Sequence, residues 1–239
     1  MELKTKQTFI RVKPKSFDMD WRQDLTGIGI TIPDELETVR YTPVAHNPMP
    51  FSLEFDPDTM TLVKKIVGVI PNVQYKGPWY TWEEFCQMVE SRKNMVDLAL
   101  QTAKKAHAGQ VDKAGRDYIE HPIAVAEKVN TPEEKMAAYL HDVVEDTDVT
   151  LEDLRSLGFP ESVIEAVDCL TKREGVSLAD YLYRVKHNEI ARVVKLADLA
   201  HNSDINRIPE PKEKDYKRVE RYHREAEYLR SDFEDYFEE

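Results

Sequence analysis

Residues 139–149 read YLHDVVEDTDV and place His141, Asp142, Glu145 and Asp146 within six positions, directly after the apolar run MAAYL. At about 3.6 residues per turn, positions four apart lie nearly over one another. A continuous helix through this stretch stacks His141 over Glu145 and Asp142 over Asp146 and turns Leu140, Val143 and Val144 toward a core. Three carboxylates and an imidazole on one face repel one another unless a cation sits among them. The stretch therefore asks for a metal ion and for further ligands elsewhere in the chain.

Two other stretches carry unusual residues. In VKLADLAHNSD (194–204), Asp198 falls inside an apolar helical pattern, and buried aspartates are rare unless paired or metal-bound. In AHAGQVDKAGRDYIEHPIAVA (106–126), His121 directly precedes Pro122 and an apolar run, which puts it at a helix start. His121, His141, Asp142 and Asp198 would surround one divalent ion with two imidazoles and two carboxylates, a donor set suited to Mn²⁺, Fe²⁺, Ni²⁺ or Zn²⁺ rather than Ca²⁺ or Mg²⁺. Spacing alone does not select these four, and HDVVED by itself reads equally well as a solvated acidic helix end. His107 and His201 read as structural hydrogen-bonders. Lys172 and Arg173 read either as part of a phosphate site or as a solvated helix end.

Five motifs, AHAGQ (106–110), GRDYIEHP (115–122), LHDVVEDT (140–147), LTKRE (170–174) and KLADLAHN (195–202), occur in an order that resembles the HD-type metal-dependent phosphohydrolases. The likeness is to the hydrolase domain of the RelA/SpoT-type alarmone enzymes and their small single-domain relatives, over roughly residues 92–207. It implies an all-α fold, a bound Mn²⁺, and removal of the 3′-pyrophosphate from guanosine tetra- or pentaphosphate. It further implies that His121, His141, Asp142 and Asp198 ligate the metal, that Glu145 and Asp146 are the catalytic acidic pair, and that Lys113 and Asn202 contact substrate. Glu145 would orient the attacking water and take its proton.

Two positions depart from the family pattern. Asp112 stands where Arg usually precedes the lysine of the AHAGQ loop, and Ser203–Asp204 replace a hydrophobic residue and Arg after HN. Both cation positions have become acids, which leaves Arg116 and Arg207 to restore the grip on substrate. The departures favour, as the alternative, an HD hydrolase of a different nucleotide or phosphorylated cofactor. A non-catalytic nucleotide-binding module is the third reading, and the Glu145–Asp146 pair weighs against it.

The elements that must position these residues divide the chain. Eight prolines fall in the first 78 residues, together with the Thr/Ile/Val-rich stretches TGIGITIP and TLVKKIVGVIP, which predicts short strands and turns. From residue 81 the texture is helical, with capping-box spacing at Thr81/Glu84 and Thr131/Glu134 and further helix starts at Thr150 and Ser177. The charged stretch from Lys212 reads as an exposed helix laced with four-residue ion pairs. The expected architecture is an all-α HD-domain bundle of seven to eight helices over 91–239, preceded by an irregular or β-containing accessory segment, 1–90.

A hydrophobic content of 41% with 33% charged residues describes a globular protein with material for a core. The net charge of −12 argues against a nucleic-acid partner and leaves a small anionic nucleotide, met by locally converging cations. No apolar run of about 18 residues exists to span a membrane. Two isolated cysteines, Cys86 and Cys169, form no disulfide framework and point to the cytoplasm. Nothing in the sequence sets the oligomeric state.

Overall fold

The computed structural model describes residues 10–14, 19–30, 32–33, 36–40, 51–56, 62–67, 79–112, 115–208, 210–231 and 237. The chain divides into two compact units, Met1–Lys93 and Asn94–Glu239. Helix α2 (Trp82–Ala106) contributes its first part to one and its remainder to the other.

The first unit holds β1 (Ile10–Val12), α1 (Trp21–Gly27), β2 (Glu37–Arg40), β3 (Phe51–Phe55), β4 (Leu62–Val67) and β5 (Trp79–Tyr80). The strands form one sheet in the order β2-β4-β3-β1-β5, with β3 antiparallel to both β4 and β1. FSLEF alternates apolar and polar residues, so Leu53 and Phe55 enter a cluster with Val12, Leu25 and Phe85. Glu54, on the opposite face, is buried too, and its carboxylate meets Arg11 at 2.9 Å directly across β1–β3. Helix α2 opens with the expected box: Thr81 N–H donates to Glu84 at 2.7 Å and Glu84 N–H donates to Thr81 Oγ1 at 3.1 Å. TLVKKIVGVIP supplies β4 as its composition predicts, but TGIGITIP supplies no strand among the described residues. Its first two residues end α1, where the Thr26 hydroxyl donates to Arg22 O, and Gly29 at φ 84° turns the chain out of the helix.

The second unit is helical: α3 (Glu120–Ala126), α4 (Pro132–Leu140), α5 (Val143–Asp146), α6 (Leu151–Ser156), α7 (Glu161–Leu170), α8 (Leu178–Lys186), α9 (Glu189–Asn202), a 3₁₀ turn (Ile205–Arg207) and α10 (Glu213–Arg230). Reciprocal capping boxes start α4 at Thr131–Glu134 and α6 at Thr150–Asp153, while Ser177 and Asn188 cap α8 and α9. Gly158, at φ 85°, breaks the chain ahead of α7. Leu140, Val143, Leu154, Ile164, Leu182 and Leu199 lie in one core. Helix α9 packs against α3, α4, α7, α8 and α10, so what it carries is held from several directions.

Two expectations need correction. The helix through 139–149 is not continuous: α4 ends at Leu140, His141 and Asp142 form a turn, and α5 starts at Val143. His141 and Asp142 flank this break, and His141 Nε2 lies 3.0 Å from Asp142 Oδ2. The C-terminal helix has the expected four-residue pairs, Lys217 to Glu213 at 2.7 Å and Arg221 to Glu225 at 3.2 Å, yet it is not simply solvated. Glu225, Ala226 and Leu229 are buried on one face of α10, which packs on α8 and α9.

The length of α4 sets where His141 falls, so its start matters. Thr131→Ala should lower stability by about 1 kcal/mol, and Thr131→Ser should restore most of it, as measured by chemical denaturation.

Candidate metal centre

Three elements of the second unit bring four ligand atoms together. His121 sits at the second position of α3, His141 at the C-terminal cap of α4, Asp142 in the following turn, and Asp198 on α9. His121, His141 and Asp198 are buried and offer ligand atoms within 4.8 Å of one another. His121 Nε2 lies 3.2 Å from His141 Nε2, 3.2 Å from Asp198 Oδ1 and 3.6 Å from Asp142 Oδ2. Asp142 Oδ2 lies 3.0 Å from His141 Nε2.

The outer hydrogen bonds fix which imidazole nitrogens carry protons. His141 Nδ1 lies 2.8 Å from the Ala138 carbonyl, which can only accept, so Nδ1 carries a proton and Nε2 faces the cluster. The two Nε2 atoms and two carboxylates therefore converge without a built-in positive charge, an arrangement that a divalent ion satisfies. Without an ion, protons fill the role. Burial opposes charge on His141, but Asp142 and Asp198 overcome it and push its pKa up to about 9. Burial likewise works against charge on Asp198 and is overcome by Lys195 and the two imidazoles, which hold the carboxyl well below its usual range.

Further partners brace the carboxylates. The Tyr118 hydroxyl donates to Asp142 Oδ2 at 2.5 Å. Lys195 donates to Asp198 Oδ2 at 2.8 Å, one helical turn away, and its ammonium stays charged because Asp198 outweighs the cost of burial. Asn202 donates to Asp198 Oδ1 at 2.5 Å, so its amide orients that carboxylate while the residue also lines the adjoining cavity. His201 Nδ1 lies 2.7 Å from His121 Nδ1, as a structural hydrogen-bonder should, and burial pushes its pKa down to about 4. Sequence reasoning gave Tyr118 and Lys195 no role. The three-residue spacing of Lys195 and Asp198 was a visible signal, whereas the Tyr118–Asp142 contact spans 24 positions and had none.

Glu145 and Asp146 stand beside the cluster. Glu145 Oε2 accepts from Lys172 N–H at 2.6 Å, so Lys172 meets the site through its backbone, while the Arg173 side chain pairs with Asp168. Burial raises the pKa of Glu145, the Lys172 hydrogen bond opposes that, and the charges of Asp142 and Asp146 add to it. Burial and Asp142 also raise Asp146. The Asp146 carbonyl accepts from Gln110 Nε2 at 3.0 Å, and Gln110 Oε1 in turn faces His107 Nδ1 at 2.8 Å, which ties the AHAGQ loop to the acidic pair.

A cavity of about 450 Å³ opens on the cluster, walled by Tyr118, Lys195, Asn202, Arg207, Arg218 and Tyr222 among others. Neither Glu145 nor Asp146 is in that wall. Lys113 lies outside the described residues. Arg116 is exposed and outside the wall, and its backbone N–H donates to Asp112 Oδ1 at 3.0 Å. Arg207 is in the wall and pairs with Asp112 at 3.3 Å. Asp204 Oδ1 accepts from Asn206 N–H at 3.1 Å and so caps the 3₁₀ turn that carries Arg207.

The family comparison comes to the same region. Residues 99–209 match the family model for the HD domain. The chain is similar to a GTP pyrophosphokinase of Streptomyces coelicolor, 37% identical over 125 residues, which are 47% of this chain and 15% of the relative. It is also similar to the bifunctional (p)ppGpp synthase/hydrolase SpoT of Escherichia coli, 34% identical over 143 residues, 52% of this chain and 20% of the relative. The chain thus spans no more than a fifth of the length of these two relatives. A solved structure of a metazoan ortholog of SpoT that hydrolyses ppGpp matches with 25% identity and a TM-score of 0.49, covering 57% of this chain and 86% of that one. Among the described residues, no helix is long and apolar enough to cross a membrane.

His141→Ala and Asp142→Ala should each abolish the binding of one divalent ion per chain, because each removes one of four ligands and leaves the remaining carboxylate charge short of a donor. Elemental analysis checks this, and undiminished metal in both variants contradicts the assignment.

Proposed function

We propose that the HD domain at residues 99–209 makes this chain a Mn²⁺-dependent phosphohydrolase that removes the 3′-pyrophosphate from guanosine tetra- or pentaphosphate. The observation that carries the reading is the convergence of two imidazole Nε2 atoms and two carboxylates, 3.0–3.6 Å apart at their closest pairings, on a cavity of nucleotide size. The likeness to SpoT supports the substrate, and the mixed nitrogen and oxygen donors suit Mn²⁺. A bound divalent ion supplies an activated water near neutral pH and screens a phosphoryl oxygen.

The chain's own residues do the rest. His121, His141, Asp142 and Asp198 hold the ion. Glu145, with its carboxyl pKa raised by burial, takes the proton of the attacking water, and the Lys172 N–H fixes its orientation. Asp146, raised in the same way, protonates the leaving pyrophosphate or holds the water network. Asn202, Lys113 and a nearby arginine contact the substrate. Arg207 fits that last role through its place in the wall, whereas Arg116 is exposed and outside it.

The catalytic domain runs over 91–239, with 1–90 as an accessory segment. The two free thiols, Cys86 and Cys169, fit a cytoplasmic setting.

One observation favours a second substrate. Every cation in the described wall is already matched by an aspartate: Lys195 with Asp198 at 2.8 Å, Arg207 with Asp112 at 3.3 Å, and Arg218 with Asp215 at 3.1 Å. A wall so neutralised suits a less highly charged nucleotide or phosphorylated cofactor than the alarmone.

Incubating Mn²⁺-loaded protein with a nucleotide panel separates the readings. Pyrophosphate release from guanosine tetraphosphate is the expected result, phosphate release from another nucleotide favours the alternative, and no turnover of any leaves a binding module. Glu145→Gln should keep metal and substrate but lower turnover about 10²–10⁴-fold. A wild-type rate from that variant means that the water is activated elsewhere.

A further inference from the structure

The two acidic departures, Asp112 and Asp204, converge on one residue. Asp112 Oδ2 meets Arg207 Nη2 at 3.3 Å, and Asp204 caps the turn that presents Arg207. Arg207 Nη1 in turn lies 3.1 Å from His201 Nδ1 and 3.3 Å from the His201 carbonyl. His201 Nδ1 lies 2.7 Å from Nδ1 of His121, with the ring planes 22° apart and the centroids 4.9 Å apart.

In the assignment that donor chemistry supports, the one lone pair of His201 Nδ1 is shared between two donors. A guanidinium has only N–H donors and keeps its charge in proteins. The His201 Nδ1 it faces must therefore accept. Two ring nitrogens 2.7 Å apart need one proton between them, and since His201 Nδ1 accepts, His121 Nδ1 donates. His121 is then left with its Nε2 lone pair directed at His141, Asp142 and Asp198. A protein carbonyl does this for His141, but His121 has a second imidazole as its partner, and an imidazole can flip between tautomers. Arg207 removes that freedom.

We propose that Asp112, Arg207 and His201 form a positioning relay that fixes the Nδ1–H tautomer of His121 and so keeps its Nε2 available to the metal ion. Asp112 anchors Arg207, Arg207 sets His201, and His201 sets His121. The acid at position 112 thus serves the ion's surroundings rather than the grip on a nucleobase. Arg207 also lines the cavity, so a phosphate that draws on its guanidinium pulls on the same chain that holds a metal ligand. The relay rests on the metal-site part of the functional reading and is independent of which nucleotide is hydrolysed.

The test uses the full chain labelled with ¹⁵N-histidine, with Zn²⁺ as a diamagnetic probe. In the wild type, nitrogen shifts should identify His121 as the Nδ1–H form and His201 as the Nε2–H form. Arg207→Ala should let His201 populate its Nδ1–H form and weaken Zn²⁺ binding by about 10–100-fold, the usual consequence of losing an outer partner of a metal-ligating histidine. Arg207→Lys, which keeps a cationic donor, should recover part of that loss, and Asp112→Ala should shift both readouts in the same direction by less. A structural role alone lowers melting temperature without moving the tautomers. Should Arg207→Ala not fold, Asp112→Ala and Arg207→Lys carry the comparison. Tautomers and Zn²⁺ affinity unchanged in the folded variants overturn the relay and leave the metal site standing. A wild type that binds no Zn²⁺ overturns the metal reading itself, and failure to hydrolyse guanosine tetraphosphate touches only the substrate.

Discussion

Electrostatic repulsion at one buried point governs this site. Nε2 atoms of two histidines face each other at 3.2 Å, with carboxylate oxygens of Asp142 and Asp198 at 3.0 and 3.2 Å from one or the other. Such a group is unfavourable in a protein interior unless a cation or protons neutralise it. Each surrounding interaction keeps the four donors in place against that repulsion. The Ala138 carbonyl holds His141, Tyr118 holds Asp142, and Lys195 and Asn202 hold the two oxygens of Asp198. Lys195 also offsets part of the negative charge of Asp198.

The fold supplies the rigidity this needs. Asp198 sits on α9, which packs against five other helices, so its position is fixed by core packing instead of by a loop. His141 comes at the end of α4, whose start is set by the Thr131–Glu134 box and whose apolar face, Met136, Ala137, Ala138 and Leu140, is buried. His141 and Asp142 follow at the break after Leu140, with His141 Nε2 3.0 Å from Asp142 Oδ2. Gln110, reaching from the AHAGQ loop to the Asp146 carbonyl, fixes the far end of α5. His141, Asp142 and the acidic pair are thus held by separate anchors within one short stretch.

Much of this was legible in the sequence. Capping boxes at Thr81 and Thr131, the helix start at Thr150 and apolar spacing along α8 and α9 located helices because those signals are local and physical. Asp198 stood out as an acid in an apolar pattern, and the four-residue spacing put Asn202 on the same helical face. The break at His141–Asp142 was not legible, since the helix-favouring run MAAYL leads straight into it. TGIGITIP read as a strand because branched residues dominate it, whereas the Thr26 hydroxyl bonding back to Arg22 O and the positive φ of Gly29 shape it as a helix end. Asp112 illustrates the same limit. Its charge could be read, but its partner, Arg207, lies 95 positions away.

Calorimetric titration of Mn²⁺ into chelator-treated protein near pH 7, repeated in buffers of different protonation enthalpy, addresses the buried cluster most directly. His141, pushed up to about 9, carries a proton at that pH when no ion is bound, so an arriving ion must displace it. The expected result is one ion per chain with release of about one proton, and an affinity that rises as pH increases toward 9. Absence of saturable binding, or binding without proton release, contradicts the claim that this cluster is a metal site built on two neutral imidazoles.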